Sequence, residues 1–227
     1  MTPRAILIFG AGLGTRMAPL TNDRPKPLVE VAGRALIDHA LGIARAAGTG
    51  RIVVNTHYRA DQMRAHLAAR GVQISHEPKL LETGGGLKRA LPLLGTGPCF
   101  TLNSDAVWTG PNPLDTLAAA WDPDRMDALL LCLPANRATG HRGQGDFSMD
   151  ADGRLHRGGP LIYTGAQIIK PDLAAREDDA AFSLNRVWDR IAAEGRLFGA
   201  IHDGGWCDVG RPESIPLAEG LLRGNDV

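Results

Sequence analysis

Apolar positions along the chain fall into short continuous runs, separated by stretches with helical spacing that end at glycine. Residues 5–9 are an unbroken apolar run of strand formers that stops at Gly10, which predicts a buried strand feeding a loop. Residues 35–47 place apolar side chains at helical spacing and stop at Gly48. Residues 59–70 do the same through Met63 and Leu67 and stop at Gly71. Further strands are predicted over 51–55, 72–75, 98–102 and 127–133, and further helices over 86–94 and 113–121. Buried strands alternating with amphipathic helices predict a Rossmann-like, doubly wound α/β fold: a mostly parallel sheet with helices on both faces.

The pattern changes after residue 133. Residues 146–150 and 154–156 flank Ala151, Asp152 and Gly153, a turn sequence that predicts a small β-hairpin insertion. A strand over 161–169, a helix over 183–194 stopped by Gly195, strands over 197–201 and 206–209, and a helix over 212–222 complete the chain. No repeat, low-complexity segment or linker interrupts it, so residues 1–227 are expected to form a single domain.

Composition narrows the function classes. Lys and Arg number 25, as do Asp and Glu, so no bulk charge favours nucleic acid or a membrane surface, and any anion specificity must be local. Cys99, Cys132 and Cys207 have no metal-type spacing and read as buried apolar residues of a reduced compartment. No stretch resembles a signal peptide or is long enough to span a bilayer, so a cytoplasmic protein is expected. Nothing in the sequence selects an oligomeric state.

The candidate chemistry begins where the first strand ends. Gly10, Gly12 and Gly14 remove side chains, so backbone N–H groups can approach an anion. Arg16 adds a permanent forked cation, and ten residues later Lys26 projects between Pro25 and Pro27. A P-loop order of Gly, four residues, Gly, Lys and Ser or Thr occurs nowhere, and a dinucleotide fingerprint starting at Gly10 fails because Thr15 replaces its third glycine. Asn103, Ser104 and Asp105 end an apparent parallel strand, where an open α/β sheet binds its ligands. A carboxylate there suits Mg²⁺, although the tripeptide alone also reads as a polar turn. Asp208 is an acid in an apolar strand. It must be paired, bound to a metal or capping a helix.

These segments together resemble the sugar-1-phosphate nucleotidyltransferase family. The resemblance is carried by Phe9-Gly-Ala-Gly-Leu-Gly-Thr-Arg-Met-Ala-Pro-Leu-Thr21, by Pro25-Lys-Pro-Leu-Val-Glu-Val-Ala-Gly33, and by Leu81-Glu-Thr-Gly-Gly-Gly86. Asn103-Ser-Asp-Ala-Val-Trp108, Gly145-Asp-Phe147 and Trp206-Cys-Asp-Val-Gly210 extend it over almost the whole chain. Gly10 stands where the family usually has alanine. The resemblance implies transfer of a nucleotidyl group to a sugar 1-phosphate with release of pyrophosphate. UTP is the favoured triphosphate and N-acetylmuramate 1-phosphate the first-ranked acceptor. It implies Mg²⁺ on Asp105 and Asp208, with Arg16 and Lys26 as catalytic cations. Gly10, Ala11, Gly12, Gly14, Thr15, Glu82, Thr83 and Gly85 would hold the nucleotide. Asn103, Gly145, Asp146 and Gly165 would hold the sugar, with the hairpin as its wall. The loop before the hairpin carries Arg142, a cation suited to the lactyl carboxylate of a muramate. Guanylyl or thymidylyl transfer to a hexose 1-phosphate is the enzymatic alternative. A non-catalytic nucleotide-sugar sensor is the alternative of another class, and would be expected to lack Arg16, Lys26 or one of the acids.

Overall fold

The computed structural model describes residues 2–224. Strands β1 (Ala5–Phe9), β2 (Glu30–Val31), β3 (Arg34–Ala35), β4 (Arg51–Thr56), β5 (Gln73–His76), β6 (Cys99–Asn103) and β7 (Ala106–Trp108) form the first half. Strands β8 (Ala128–Pro134), β9 (Ala138–Thr139), β10 (Phe147–Met149), β11 (Leu155–Arg157), β12 (Leu161–Ile169), β13 (Leu197–Ile201) and β14 (Trp206–Asp208) form the second. The helices are α1 (Leu36–Ala46), α2 (Ala60–Leu67), α3 (Glu82–Leu94), α4 (Pro113–Ala120), α5 (Asp172–Ala175), α6 (Leu184–Ala193) and α7 (Ser214–Arg223).

Nine strands make the main sheet, in the order β11-β10-β12-β6-β1-β4-β5, with β8 paired to β12 and β13 to β8. Side-chain alternation along β1 shows why helices must cover both faces. Ala5 and Leu7 pack on one side with Leu87 and Ala90 of α3 and with Val187, Trp188 and Ile191 of α6. Ile6 and Ile8 pack on the other side with Ile37, Leu41 and Ala44 of α1, Met63 and Leu67 of α2, and Leu114 and Leu117 of α4.

Strand β1 lies between β4 and β6, both parallel to it, and Phe9 is in register with Asn55 on one side and Asn103 on the other. Three strand ends therefore open together at the carboxyl edge of the sheet.

The sheet is parallel through β6-β1-β4-β5 and at β13-β8, while β12 runs antiparallel to both β6 and β8. The hairpin β10–β11 adds to the edge of the main sheet through β12. Strand β14 leaves the main sheet. It pairs antiparallel with β7 and parallel with β9 in a second, three-stranded sheet, where Val107 of β7, Cys207 of β14 and the following Val209 share a buried cluster with Ala218 of α7. The strands β2, β3, β7 and β9, and the one-turn helix α5, are too short to show a period in sequence. Helix α2 is shorter than the expected 59–70, and α3 begins at Glu82 rather than residue 86.

All three cysteines are unpaired and buried, and burial pushes the thiols of Cys99 and Cys132 up to about 12 and that of Cys207 to about 11. Among the described residues, no helix is long and apolar enough to cross a membrane.

Candidate active site

The carboxyl edge of β1, β4 and β6 holds a cleft of about 270 Å³. Gly10, Ala11, Gly12, Lys26, Glu82, Thr83, Asn103 and Asp105 line it, joined by Asn55, Glu77 and Leu80. The loop leaving β1 is anchored by side chains behind it. The Gly10 N–H donates to Asn55 Oδ1 (2.7 Å), Asn55 Nδ2 donates to Glu77 Oε1 (2.7 Å), and the Leu81 N–H donates to Glu77 Oε2 (3.1 Å). Burial pushes the Glu77 carboxyl above its ordinary value, against the hydrogen bonds from Asn55 and Leu81. Gly86 leaves room for this pair, since a Cβ there would lie 2.8 Å from both Asn55 Nδ2 and Glu77 Oε1. The Ser104 hydroxyl ties the end of β6 to β1 by donating to the Phe9 carbonyl (2.5 Å).

The three glycines of the loop do different work. The Gly10 N–H is consumed by Asn55, so this amide does not serve an anion as the sequence suggested. Gly12 faces open space, with nothing within 4 Å of where a Cβ would stand. The N–H groups of Gly12 and Leu13 donate to no other described residue. They remain free for phosphate oxygens. Gly14, at φ +66°, backs onto Lys26: a Cβ would lie 2.9 Å from Lys26 Cβ. Thr15 starts a short 3₁₀ turn outside the cleft lining.

Lys26 Nζ lies 2.6 Å from Asp105 Oδ2, with the lysine side chain only 11% exposed. Asp208 comes beside them because β14 pairs with β7: Asp208 is in register with Ala106, and the Val209 N–H donates to the Asp105 carbonyl (2.8 Å). Burial, then the Asp105 carboxylate, pushes the Asp208 carboxyl above its ordinary value; Lys26, Arg16 and His141 pull it down. Arg16 is exposed and makes no hydrogen bond or ion pair among the described residues. Lys26 and Asp105 thus line the cleft, and Asp208, outside that lining, feels the charges of both and of Arg16 and His141.

The helix entry after Leu80 differs from its expected role. Gly84 and Gly85 open α3, but their bare faces are filled by the segment 180–182: a Cβ on Gly84 would lie 2.3 Å from the Phe182 ring, and one on Gly85 would lie 2.2 Å from the Ala180 carbonyl oxygen. Gly85 therefore serves close packing of two chain segments and does not line the cleft. The N–H groups of both glycines donate to the Phe182 carbonyl, and the Thr83 hydroxyl accepts from Leu184. Glu82 does line the cleft, and it stands at φ +59°, a conformation costing a non-glycine residue about 1–3 kcal/mol. Its neighbour Leu81 is pinned from both sides, by Glu77 and by the Phe182 N–H.

The expected sugar residues divide in the same way. Gly165, at φ +88°, lets β12 press on Asn103, whose side chain would lie 2.8 Å from an added Cβ. Gly145 packs against Gly159, and Asp146 Oδ2 accepts from the Tyr163 N–H (2.9 Å), so both hold the hairpin to β12. Neither they nor Gly165 line the cleft. Arg142 is paired with Glu213 at the surface (3.1 Å). Of that loop, His141 acts electrostatically on Asp208, and its ring tilts against Trp206 at 6.4 Å. Sequence reasoning missed Asn55, Glu77 and Leu80. Asn55 carried a signal, as a polar residue ending a parallel strand just as Asn103 does.

A profile of the MobA-like NTP transferase domain matches residues 6–194. The chain is 46% identical over 235 residues to the N-acetylmuramate alpha-1-phosphate uridylyltransferase of Caulobacter vibrioides, covering 97% of each. It is 33% identical to the protein of the same name from Neisseria meningitidis serogroup B, covering 95% of this chain and 96% of the relative. Among solved structures, HddC from Yersinia pseudotuberculosis complexed with GMP-PN superposes with a TM-score of 0.78 at 20% identity, over 96% of this chain and 99% of that one, a likeness of fold.

Proposed function

The chain belongs to the family of MobA-like NTP transferase domains, and on that premise we propose that it acts as a single-domain uridylyltransferase. It joins UTP to N-acetylmuramate 1-phosphate, giving UDP-N-acetylmuramate and pyrophosphate. The names and near full-length coverage of the two relatives support this choice of substrates. On this reading the protein works in the cytoplasm, in the recycling of cell-wall sugars. The observation that carries the catalytic part is the Lys26–Asp105 ion pair in the glycine-loop cleft, with Asp208 brought beside it by the pairing of β14 with β7.

In the reaction an oxygen of the sugar phosphate attacks the α-phosphorus of the triphosphate. The new P–O bond forms as the bond to the β-phosphate oxygen breaks, and pyrophosphate leaves with that electron pair. Both reactants are anions, so the site must cancel their repulsion and hold them in line. The free amides of Gly12 and Leu13 cradle the triphosphate, Lys26 neutralises the α-phosphate and the attacking group, and Arg16 meets the departing pyrophosphate. The attacking phosphate is ionised near neutral pH, so no side chain has to remove a proton. Glu82, Thr83 and Asn103 face the cleft for hydrogen bonds to the nucleoside or the sugar.

Asp105 and Asp208 fit Mg²⁺. They are two hard oxygen donors, and burial, then the Asp105 charge, raises the Asp208 carboxyl, a cost that a cation would relieve. Among the described residues no third metal-ligating side chain joins them, which suits an ion that completes its shell with substrate phosphates and water. Held by Asp105 and Asp208, such an ion would supply positive charge to offset the charge that develops on the phosphates. The test is pyrophosphate release from a panel of triphosphates and sugar 1-phosphates, with UTP and N-acetylmuramate 1-phosphate expected to lead.

A further inference from the structure

Arg16 and Lys26 lie at the two ends of one surface segment, and its middle is held by a helix entry elsewhere in the chain. Three consecutive carbonyls, those of Thr21, Asn22 and Asp23, accept hydrogen bonds from residues at the start of α2. The Tyr58 hydroxyl donates to the carbonyls of Thr21 (3.0 Å) and Asn22 (3.2 Å). Arg59 Nη2 donates to that of Asn22 (2.7 Å), and Gln62 Nε2 to that of Asp23 (2.7 Å). Arg59 Nε also donates to the Tyr58 oxygen (3.3 Å), and its guanidinium lies 5.5 Å from the ring centre, so the two side chains form one unit. Arg59 stands at φ +51° to make the helix entry, backbone strain that the surrounding contacts must hold in place.

The contacts continue inward. The Thr21 hydroxyl donates to the Gly14 carbonyl (2.9 Å), and the bare face of Gly14 lies against both Thr21 and Lys26. A continuous path therefore runs from α2 through Thr21 to the glycine loop and the catalytic lysine. Within the segment itself the backbone bonds are only local turns, such as Leu20 N–H to Met17 and Leu28 N–H to Pro25.

We propose that Tyr58, Arg59 and Gln62 are positioning residues that set Arg16 and Lys26 relative to the glycine loop for the transfer step. This inference rests on the function proposed above. The three side chains are at least partly exposed, and water can take over the carbonyls they bind, so their removal costs the fold little. Their effect falls on the reacting geometry, where a misplacement of about 1 Å costs on the order of 100-fold in rate.

The test is the double variant Tyr58→Phe/Gln62→Ala, measured in two ways. Hydrogen exchange over residues 14–28 needs no substrate and should speed up by about tenfold at the amides of Leu20, Asn22 and Leu28, because a released segment opens locally. Steady-state kinetics should show kcat reduced by about tenfold or more with the KM for UTP changed by less than about threefold, the split expected when only transition-state geometry suffers. Gln62→Lys, which keeps a donor for the Asp23 carbonyl, should retain more turnover than Gln62→Ala. Unchanged exchange, unchanged kcat, or equal loss in Gln62→Lys and Gln62→Ala would overturn the proposal. A wild-type protein inert toward the whole substrate panel would instead overturn the proposed function, and exchange would still decide whether the clamp exists.

Discussion

The ammonium of Lys26 sits 2.6 Å from the carboxylate of Asp105, across 79 positions of sequence. The lysine comes from a proline-stiffened turn and the aspartate from the end of β6, so only the folded sheet brings them together. Lys26→Ala removes a charged hydrogen bond worth about 1.5–3 kcal/mol and leaves two acids facing each other. Turnover should fall at least about tenfold, with the circular dichroism spectrum retained. Full pyrophosphate release by this variant would remove the lysine from the catalytic role.

The two acids supply a second expectation. Asp208 is held above its ordinary ionisation by burial and by Asp105, so its charge disfavours the folded state without a cation. In EDTA, Asp208→Asn should raise the thermal midpoint while abolishing most activity in Mg²⁺. Asp105→Asn should weaken activation by Mg²⁺ as well. A midpoint lowered by Asp208→Asn, together with wild-type Mg²⁺ activation, would contradict a metal site built on this pair.

Gly12 and Gly14 should separate cleanly. Valine at position 12 enters empty space in the cleft, so the protein should fold normally and lose triphosphate affinity in calorimetry. Valine at position 14 meets Lys26 Cβ at 2.9 Å and a left-handed backbone, so it should lose both stability and binding. Equal behaviour of the two variants would refute the division of labour in the loop.

Much of this was legible in the sequence, for reasons visible in particular residues. The run that ends at Gly10 is buried on both faces, so it reads as a strand whatever surrounds it. The direction of β12 was not legible, because an apolar run is the same in either direction. Gly85 misled because a bare α-carbon admits a neighbouring chain segment as readily as a ligand, and here Ala180 takes the space. Glu77 gave no signal: a buried acid is tolerable only beside partners such as Asn55, 22 positions away, and that pairing exists only once β4 and β5 are side by side. Arg142 had the right chemistry for a carboxylate, but Glu213 supplies one within the chain itself.

The most direct measurement is pyrophosphate release by the wild-type protein with Mg²⁺, across UTP, GTP and dTTP paired with N-acetylmuramate, N-acetylglucosamine, glucose and mannose 1-phosphates. UTP with N-acetylmuramate 1-phosphate should give the highest kcat/KM, by about tenfold or more over N-acetylglucosamine 1-phosphate, the preference expected if the site pairs the lactyl carboxylate. A higher kcat/KM for a neutral hexose 1-phosphate, or for GTP or dTTP over UTP, would contradict the proposed substrates, and no release from any pair would contradict the enzyme itself.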